Sequence, residues 1–236
     1  MKTQRPVFVY SMTPRDRTSY KHFFELGPLK ALLENPGQLR GSGWDLLTHD
    51  KARIVRGEYL ELTSAERKRI QVYEDGSVLV RVSGDEDFMS WGQNTKNFDD
   101  APRLNTLALI EFTLNFCKFC SGLVQYMEPE PSEVNLKVEV RNAFFGESKL
   151  FLIPHPVTSR AFTFTDDRHV APESSGTRKL VVSAEQLKSR PDIAAFLLVR
   201  QIFYWFGVNT ETIPYTSTAN GVAFIDESLI INSRSS

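Results

Sequence analysis

Cysteine is nearly missing from this chain, with 2 in 236 residues, Cys117 and Cys120. A single closely spaced pair builds no disulfide framework, which excludes the stapled secreted scaffolds and fits a reducing, cytoplasmic setting. Net charge is nearly missing too, at -1. Dedicated nucleic-acid proteins carry a stronger basic imbalance, so composition alone does not place the chain among them. The charge is uneven, however: residues 1–85 hold 14 Lys/Arg against 11 Asp/Glu, and residues 86–236 hold 14 against 18. No internal repeat or low-complexity segment occurs.

Long uninterrupted apolar runs are also missing. The longest candidate, Leu104 to Met127, contains Glu111, Asn115, Lys118 and Gln125. A Glu and a Lys are costly inside a bilayer, so no membrane span is expected. Their spacing places the four polar residues on one helical stripe, which reads as the exposed face of a long helix buried on three sides. At the N-terminus, the six-residue, mostly apolar run before Thr13-Pro14-Arg15-Asp16 is too short for the core of a signal peptide.

Catalytic signatures are absent in the same way. There is no G-x-S-x-G, Walker-type loop or dinucleotide fingerprint. The four histidines, His22, His49, His155 and His169, have no H-E-x-x-H spacing. Cys117-Lys118-Phe119-Cys120 is a C-x-x-C, but it falls about four turns into the expected helix, away from the N-terminal dipole that activates a redox thiol. Zinc would need two further ligands. Two reduced, buried cysteines acting as small apolar residues is the expectation, with no metal and no cofactor. Asp166-Asp167-Arg168-His169 is the densest titratable cluster. Such a loop can do acid–base work or simply be a solvated turn. An enzyme site assembled from residues distant in sequence stays open as an alternative.

What is present is core-forming material. Apolar residues make up 41%, with 17 Phe, 7 Tyr and 3 Trp. Trp44, Trp91, Trp205, Tyr204 and Tyr215 either line a pocket or, more simply, pack. Strands are expected at Val7–Met12, Ala52–Leu62, Arg69–Tyr73, Ser77–Val82, Val134–Phe144, Leu150–Ile153, Ala161–Thr165 and Leu180–Ser183. Gln93 to Arg103 and Arg168 to Arg178 read as polar loops. A second long helix covers Arg190–Phe206, opened by a capping box at Ser189 and Asp192, with Pro191 in its first turn and Gly207 as its stop. The fold class is therefore α+β, with antiparallel sheet packed against two long helices. A single domain spans 1–236, and the Pro/Glu run Glu128-Pro129-Glu130-Pro131 is where 1–127 and 132–236 would divide.

One hairpin can be read in register. A three-residue loop, Glu74-Asp75-Gly76, pairs Val72 with Val78 and Ile70 with Val80. That gives one uniformly apolar face and puts Gly76 at the left-handed position. Arg69 then faces Arg81 on the opposite face, which also carries Gln71, Tyr73 and Leu79. Arg53, Arg56, Arg67 and Lys68 lie in or beside this block. Arginines and a tyrosine on a sheet face suit a phosphate backbone and an unstacked base. The simpler account is a solvated face balanced by Glu58, Glu61 and Glu66.

The succession GWDLLTHDKARIVRGEYLEL, QVYEDGSVLVRVSGDEDFMSWG, LNTLALIEFTLNF, LFLIPHP, IFYWFGV and ETIPYT resembles an uncharacterised region of bacterial ATP- or DNA-binding proteins. In those proteins it follows an Alba/Schlafen-type domain. The resemblance covers roughly Gly43 to Ala223. It implies an accessory or sensing module in a bacterial defence setting and carries over no functional residue. The expected function is a non-enzymatic intracellular binding module for a protein partner or ligand, with nucleic-acid binding through the basic hairpin face as the alternative.

Overall fold

The computed structural model describes residues 5–20, 23, 27–40, 43–48, 51–64, 67–84, 88–90, 103–153 and 169–232. Strands β1 (Val7–Pro14) and β2 (Ser19–Tyr20) precede helix α1 (Gly27–Glu34). Then come β3 (Arg53–Val55), β4 (Tyr59–Ser64), β5 (Lys68–Tyr73), β6 (Val78–Ser83), β7 (Arg103–Asn105) and the long helix α2 (Thr106–Val124). After α2 follow β8 (Met127–Glu128), β9 (Glu133–Arg141), β10 (Phe144–Phe145), β11 (Ser148–Lys149), β12 (Phe151–Ile153) and β13 (Gly176–Ser183). The chain closes with α3 (Ala184–Ser189), α4 (Pro191–Trp205), the hairpin β14 (Thr216–Ala219) and β15 (Val222–Ile225), and α5 (Glu227–Asn232).

Seven strands form one antiparallel sheet in the order β13-β9-β1-β6-β5-β4-β3. The fold is α+β. Strand β1 pairs with β6 on one side and β9 on the other, so residues before and after the Pro/Glu run share the sheet. Alternation sorts its side chains. Phe8, Tyr10, Met12, Ile70, Val72, Val80, Leu136 and Val138 are buried on one face. Helix α2 lies on that face: the Tyr10 ring sits 5.1 Å from Phe112 and 5.2 Å from Phe116. Thr113 donates to the Leu109 carbonyl at 2.7 Å, so the Tyr10 hydroxyl donates to Thr113 Oγ1 at 3.0 Å. Helices α1, α3 and α4 pack on α2, and α4 also packs on β13 and β9.

The β5–β6 hairpin has the expected register, Ile70 opposite Val80 and Val72 opposite Val78, with Gly76 at φ 82°. Ala52–Leu62 is not one strand. Arg56 (φ 52°) and Gly57 (φ 71°) both adopt left-handed conformations and turn the chain into the β3–β4 hairpin. Two successive left-handed residues match the twist of tight hairpins, and glycine supplies the second without steric cost. The segments expected at Gln93–Arg103 and Ala161–Thr165 lie wholly or almost wholly outside the described residues, as does Trp91.

Two expectations about helices are corrected. Ser189 does not cap α4. It ends α3, where its hydroxyl donates to the Glu185 carbonyl, while Ser183 caps α3 by accepting from Gln186 N–H. Asp192 instead receives the Arg190 guanidinium at 2.8–3.2 Å. The far end is as expected. Gly207 has φ 70°, its N–H reaches the Tyr204 carbonyl, and Val208 N–H reaches Phe203, which closes a Schellman motif.

The second correction concerns α2. Asn105 caps it through Ala108 N–H, and all its residues except Leu107, Lys118 and Gly122 are buried. The stripe Glu111/Asn115/Lys118/Gln125 is therefore not its exposed face. Only Gln125, just past the helix, is exposed, and Lys118 is half-buried in a pair with Glu227. Glu111 and Asn115 hold down residues 38–40 and 43–48, which strap the helix. Arg40 donates to the Glu111 carboxylate at 2.5–3.2 Å, and Asn115 donates to the Trp44 carbonyl at 3.0 Å. The Trp44 indole donates to the Phe88 carbonyl at 2.7 Å. A Cβ at Gly43 would lie 1.8 Å from Glu111 Oε1, so a larger residue must displace the carboxylate that Arg40 holds. Gly43→Ala is expected to lower the melting temperature measurably. An unchanged melting temperature would show that the strap adapts.

Cys117 and Cys120 are free and fully buried, and burial pushes both thiols well above their ordinary pKa. Neither is expected to react with a thiol reagent in the native protein, and both should react after denaturation. Rapid native labelling would contradict their placement.

Candidate nucleic-acid interface

The second face of the sheet carries the residues that alternation turns away from the helices. In register across it stand Lys179, Lys137, Ser11, Leu79, Gln71, Glu61 and Arg53, one from each strand from β13 to β3. The neighbouring row runs Thr177, Glu139, Val9, Arg81, Arg69 and Thr63. A groove of about 520 Å³ opens where β1, β6, β5, β4 and β3 meet, and Arg53, Arg67, Arg69 and Arg81 line it. Glu61 is the one acidic residue in its wall among the described residues.

Glu61 organises half of this arginine set. It is 2% exposed and accepts from Arg53 Nη2 at 2.6 Å and from the Arg69 guanidinium. Gln71 Nε2 approaches the same carboxylate at 3.4 Å. Burial pushes the Glu61 carboxyl up, but the hydrogen bonds from Arg53 and Arg69 outweigh it and hold the group below the usual glutamate range. The pairing thus contributes stability that is full above the unfolded glutamate pKa. It is lost as pH falls through the lowered folded value. Arg81 is exposed and has no ion-pair partner among the described residues, although it stands directly opposite Arg69. Two cations in register on exposed sheet are unfavourable unless an anion lies between or beside them. Glu61 supplies one anion from the Arg69 side only.

The seven candidate site residues, six of them basic and the seventh Tyr73, are not all brought together. Arg53, Arg67, Arg69 and Arg81 share the groove. Lys68 borders it through its backbone position, but its ammonium points to the helix side, 2.5 Å from the Leu47 carbonyl and 3.2 Å from Asp45. Strand alternation requires this, since Lys68 is in phase with Ile70 and Val72. Burial lowers the Lys68 pKa, and Asp45 partly offsets it. Arg56 stands exposed at the β3–β4 turn.

Tyr73 packs on Tyr59, ring centroids 5.3 Å apart, and borders a second concavity of about 780 Å³. That concavity is acidic, lined by Glu58, Glu74, Asp75 and Glu128 against Arg17. Of the carboxylates expected to balance the basic block, Glu61 does so, Glu58 lies in the acidic concavity, and Glu66 is outside the described residues.

No protein-family model matches this chain, and no match is found among curated proteins or solved structures. Asp166, Asp167 and Arg168 lie outside the described residues, while His169 is half-buried with its ring 6.3 Å from Phe151. Trp44 and Trp205 are core residues, and Tyr204 is 64% exposed. They do not converge on one pocket among the described residues. Sequence reasoning missed that Glu61 is a shared internal counter-ion. The signal was available only once β3 and β4 were recognised as a hairpin that sets Arg53 opposite Glu61.

Proposed function

We propose that this chain is a non-enzymatic binding module whose basic groove receives the phosphate backbone of a nucleic acid. The observation that carries the reading is the convergence of four arginines on one groove in which Glu61, the one carboxylate among the described lining residues, is already engaged. Guanidinium groups bind phosphate oxygens through paired N–H donors, and phosphate contact is what gives nucleic-acid proteins their sequence-independent affinity. Tyr73 stands within electrostatic reach of Arg69 and Arg81, but its ring packs on Tyr59 and borders the acidic concavity, so contact of the arginines with the backbone carries the reading.

Arg67→Ala and Arg81→Ala should each weaken binding of labelled single- and double-stranded oligonucleotides irrespective of sequence, whereas Lys149→Ala, outside the groove, should not. Equal loss in all three variants would point to diffuse charge. Glu61→Gln makes the opposite prediction. It keeps the side chain's shape and releases Arg53 and Arg69, so binding at pH 7 should tighten by about tenfold, ~1.4 kcal/mol. Weaker binding in this variant would mean that Glu61 is needed to aim the two arginines.

A further inference from the structure

We propose that the free edge of β13 is a docking strand for an extended, acidic segment of a protein partner. The sheet has two ends. One is β3, three residues long, whose Arg53 is tied to Glu61. The other is β13, eight residues long and paired residue for residue with β9 from Gly176 to Ser183, without a bulge. No other described strand pairs with it. Folded proteins blunt such edges by shortness, bulges, a covering element or charge. Here charge is the device present.

The direction of the backbone groups follows from the ladder. Ala184 N–H donates to the Ser132 carbonyl, continuing the β13–β9 register by one residue. In an antiparallel pair, hydrogen-bonded residues alternate. Residues 184, 182, 180 and 178 therefore turn their backbone groups toward β9. Thr177, Lys179 and Val181 turn theirs to the free edge. The Thr177 carbonyl accepts from the Arg178 guanidinium at 2.8 Å, so an incoming strand must displace that contact or share the carbonyl's second lone pair.

The side chains select the occupant. Arg178 and Lys179 are in no ion pair among the described residues and β13 contains no carboxylate, while Lys137, beside Lys179 in register, is paired with Glu139 at 3.7 Å. Pairing with a second copy would set four cations across one two-strand ladder, which like-charge repulsion opposes. An acidic strand turns the same residues into cross-strand ion pairs. Val181, 47% exposed, offers an apolar position two residues from Lys179 on the same face. The fitting segment is thus extended, with a carboxylate opposite Lys179 and a β-branched or aromatic residue opposite Val181, held by main-chain bonds as in strand addition. This edge is at the opposite end of the sheet from the arginine groove, and the inference does not depend on that groove's ligand.

The test uses an N-acetylated, C-amidated octapeptide, Val-Thr-Glu-Thr-Val-Thr-Glu-Thr, which sets Val and Glu two apart on one face, with the peptide carrying Lys in place of Glu as control. Hydrogen exchange should show added protection at the amides of Thr177, Lys179 and Val181 with the acidic peptide. Its affinity should exceed that of the basic peptide at least tenfold. Val181→Pro removes an edge-facing N–H without touching the β9 ladder, and should abolish binding. If that variant fails to fold, Arg178→Glu/Lys179→Glu supplies the same test through charge. Equal binding of the two peptides, absence of protection at these three amides, or binding lost in Arg67→Ala/Arg81→Ala but kept in Arg178→Glu/Lys179→Glu would overturn the proposal. Concentration-dependent protection of the edge without peptide would overturn it in favour of self-pairing.

Discussion

Glu111→Ala is expected to cost about 3–5 kcal/mol of folding stability, the usual loss when one partner of a buried ion pair is removed. Glu111 is fully buried in the middle of α2, and its partner Arg40 is only 10% exposed. Alanine at 111 would leave the guanidinium buried without its counter-ion, 5.6 Å from the Trp44 ring, and would release the strap that Asn115 and Trp44 also hold. The informative comparison is the double variant Arg40→Met/Glu111→Leu. A well-packed apolar pair of similar volume often equals or exceeds a buried ion pair in stability. Urea denaturation should therefore place the double variant well above Glu111→Ala. A Glu111→Ala midpoint equal to wild type would show that the strap and its ion pair contribute nothing to the fold.

Phe112→Ala is expected to have a comparable effect, about 3–5 kcal/mol, for a different reason. Its ring touches both layers of the core, 5.1 Å from Tyr10 on the central strand and 5.8 Å edge-on from Phe88. Truncation loses that burial and leaves a cavity between α2 and β1 that rigid neighbours cannot fill. Lys118→Ala is the matched control on the same helix. Its pair with Glu227 is about 40% exposed on both sides, and such pairs are worth at most about 1 kcal/mol. If the two substitutions shifted the denaturation midpoint equally, α2 would not be the central helix of the core.

These two residues also show where sequence was readable and where it was not. Phe112 sits in an apolar run whose burial follows from hydrophobic periodicity alone. Glu111 sits in the same run, and periodicity assigns it to water. Its real partner is Arg40, 71 residues away, and nothing local announces a loop that folds back to neutralise a buried carboxylate. The β5–β6 hairpin was legible to the residue because period-two alternation and one left-handed glycine leave a single register. The β3–β4 hairpin was not, because Arg56 takes a left-handed conformation that its residue type does not advertise, leaving Gly57 as the only cue. Ser189 failed as a cap because two helices, α3 and α4, meet at Arg190 and the serine belongs to the first.

The candidate site divides along the same line. Arg69 opposite Arg81 followed from the hairpin register. Arg53 joins them only through the turn at Arg56-Gly57, and Lys68 leaves them because alternation turns its ammonium toward Asp45 and Leu47. The pairing of Glu61 with two arginines is a cross-strand and diagonal contact, visible only when three strands are laid side by side.

The central claim, that the arginine groove takes a phosphate backbone, is tested most directly by the salt dependence of binding. A labelled single-stranded oligonucleotide is titrated with wild-type protein across a series of salt concentrations. Each phosphate neutralised on a single strand contributes about -0.7 to the slope of log K against log salt. With Arg67 and Arg81 engaged, and Arg53 and Arg69 joining as Glu61 allows, the slope should lie between about -1.4 and -2.8, flattening by about 0.7 in Arg81→Ala. A wild-type protein that shows no binding at low salt, or binds with a slope that Arg81→Ala leaves unchanged, would contradict the assignment of this groove.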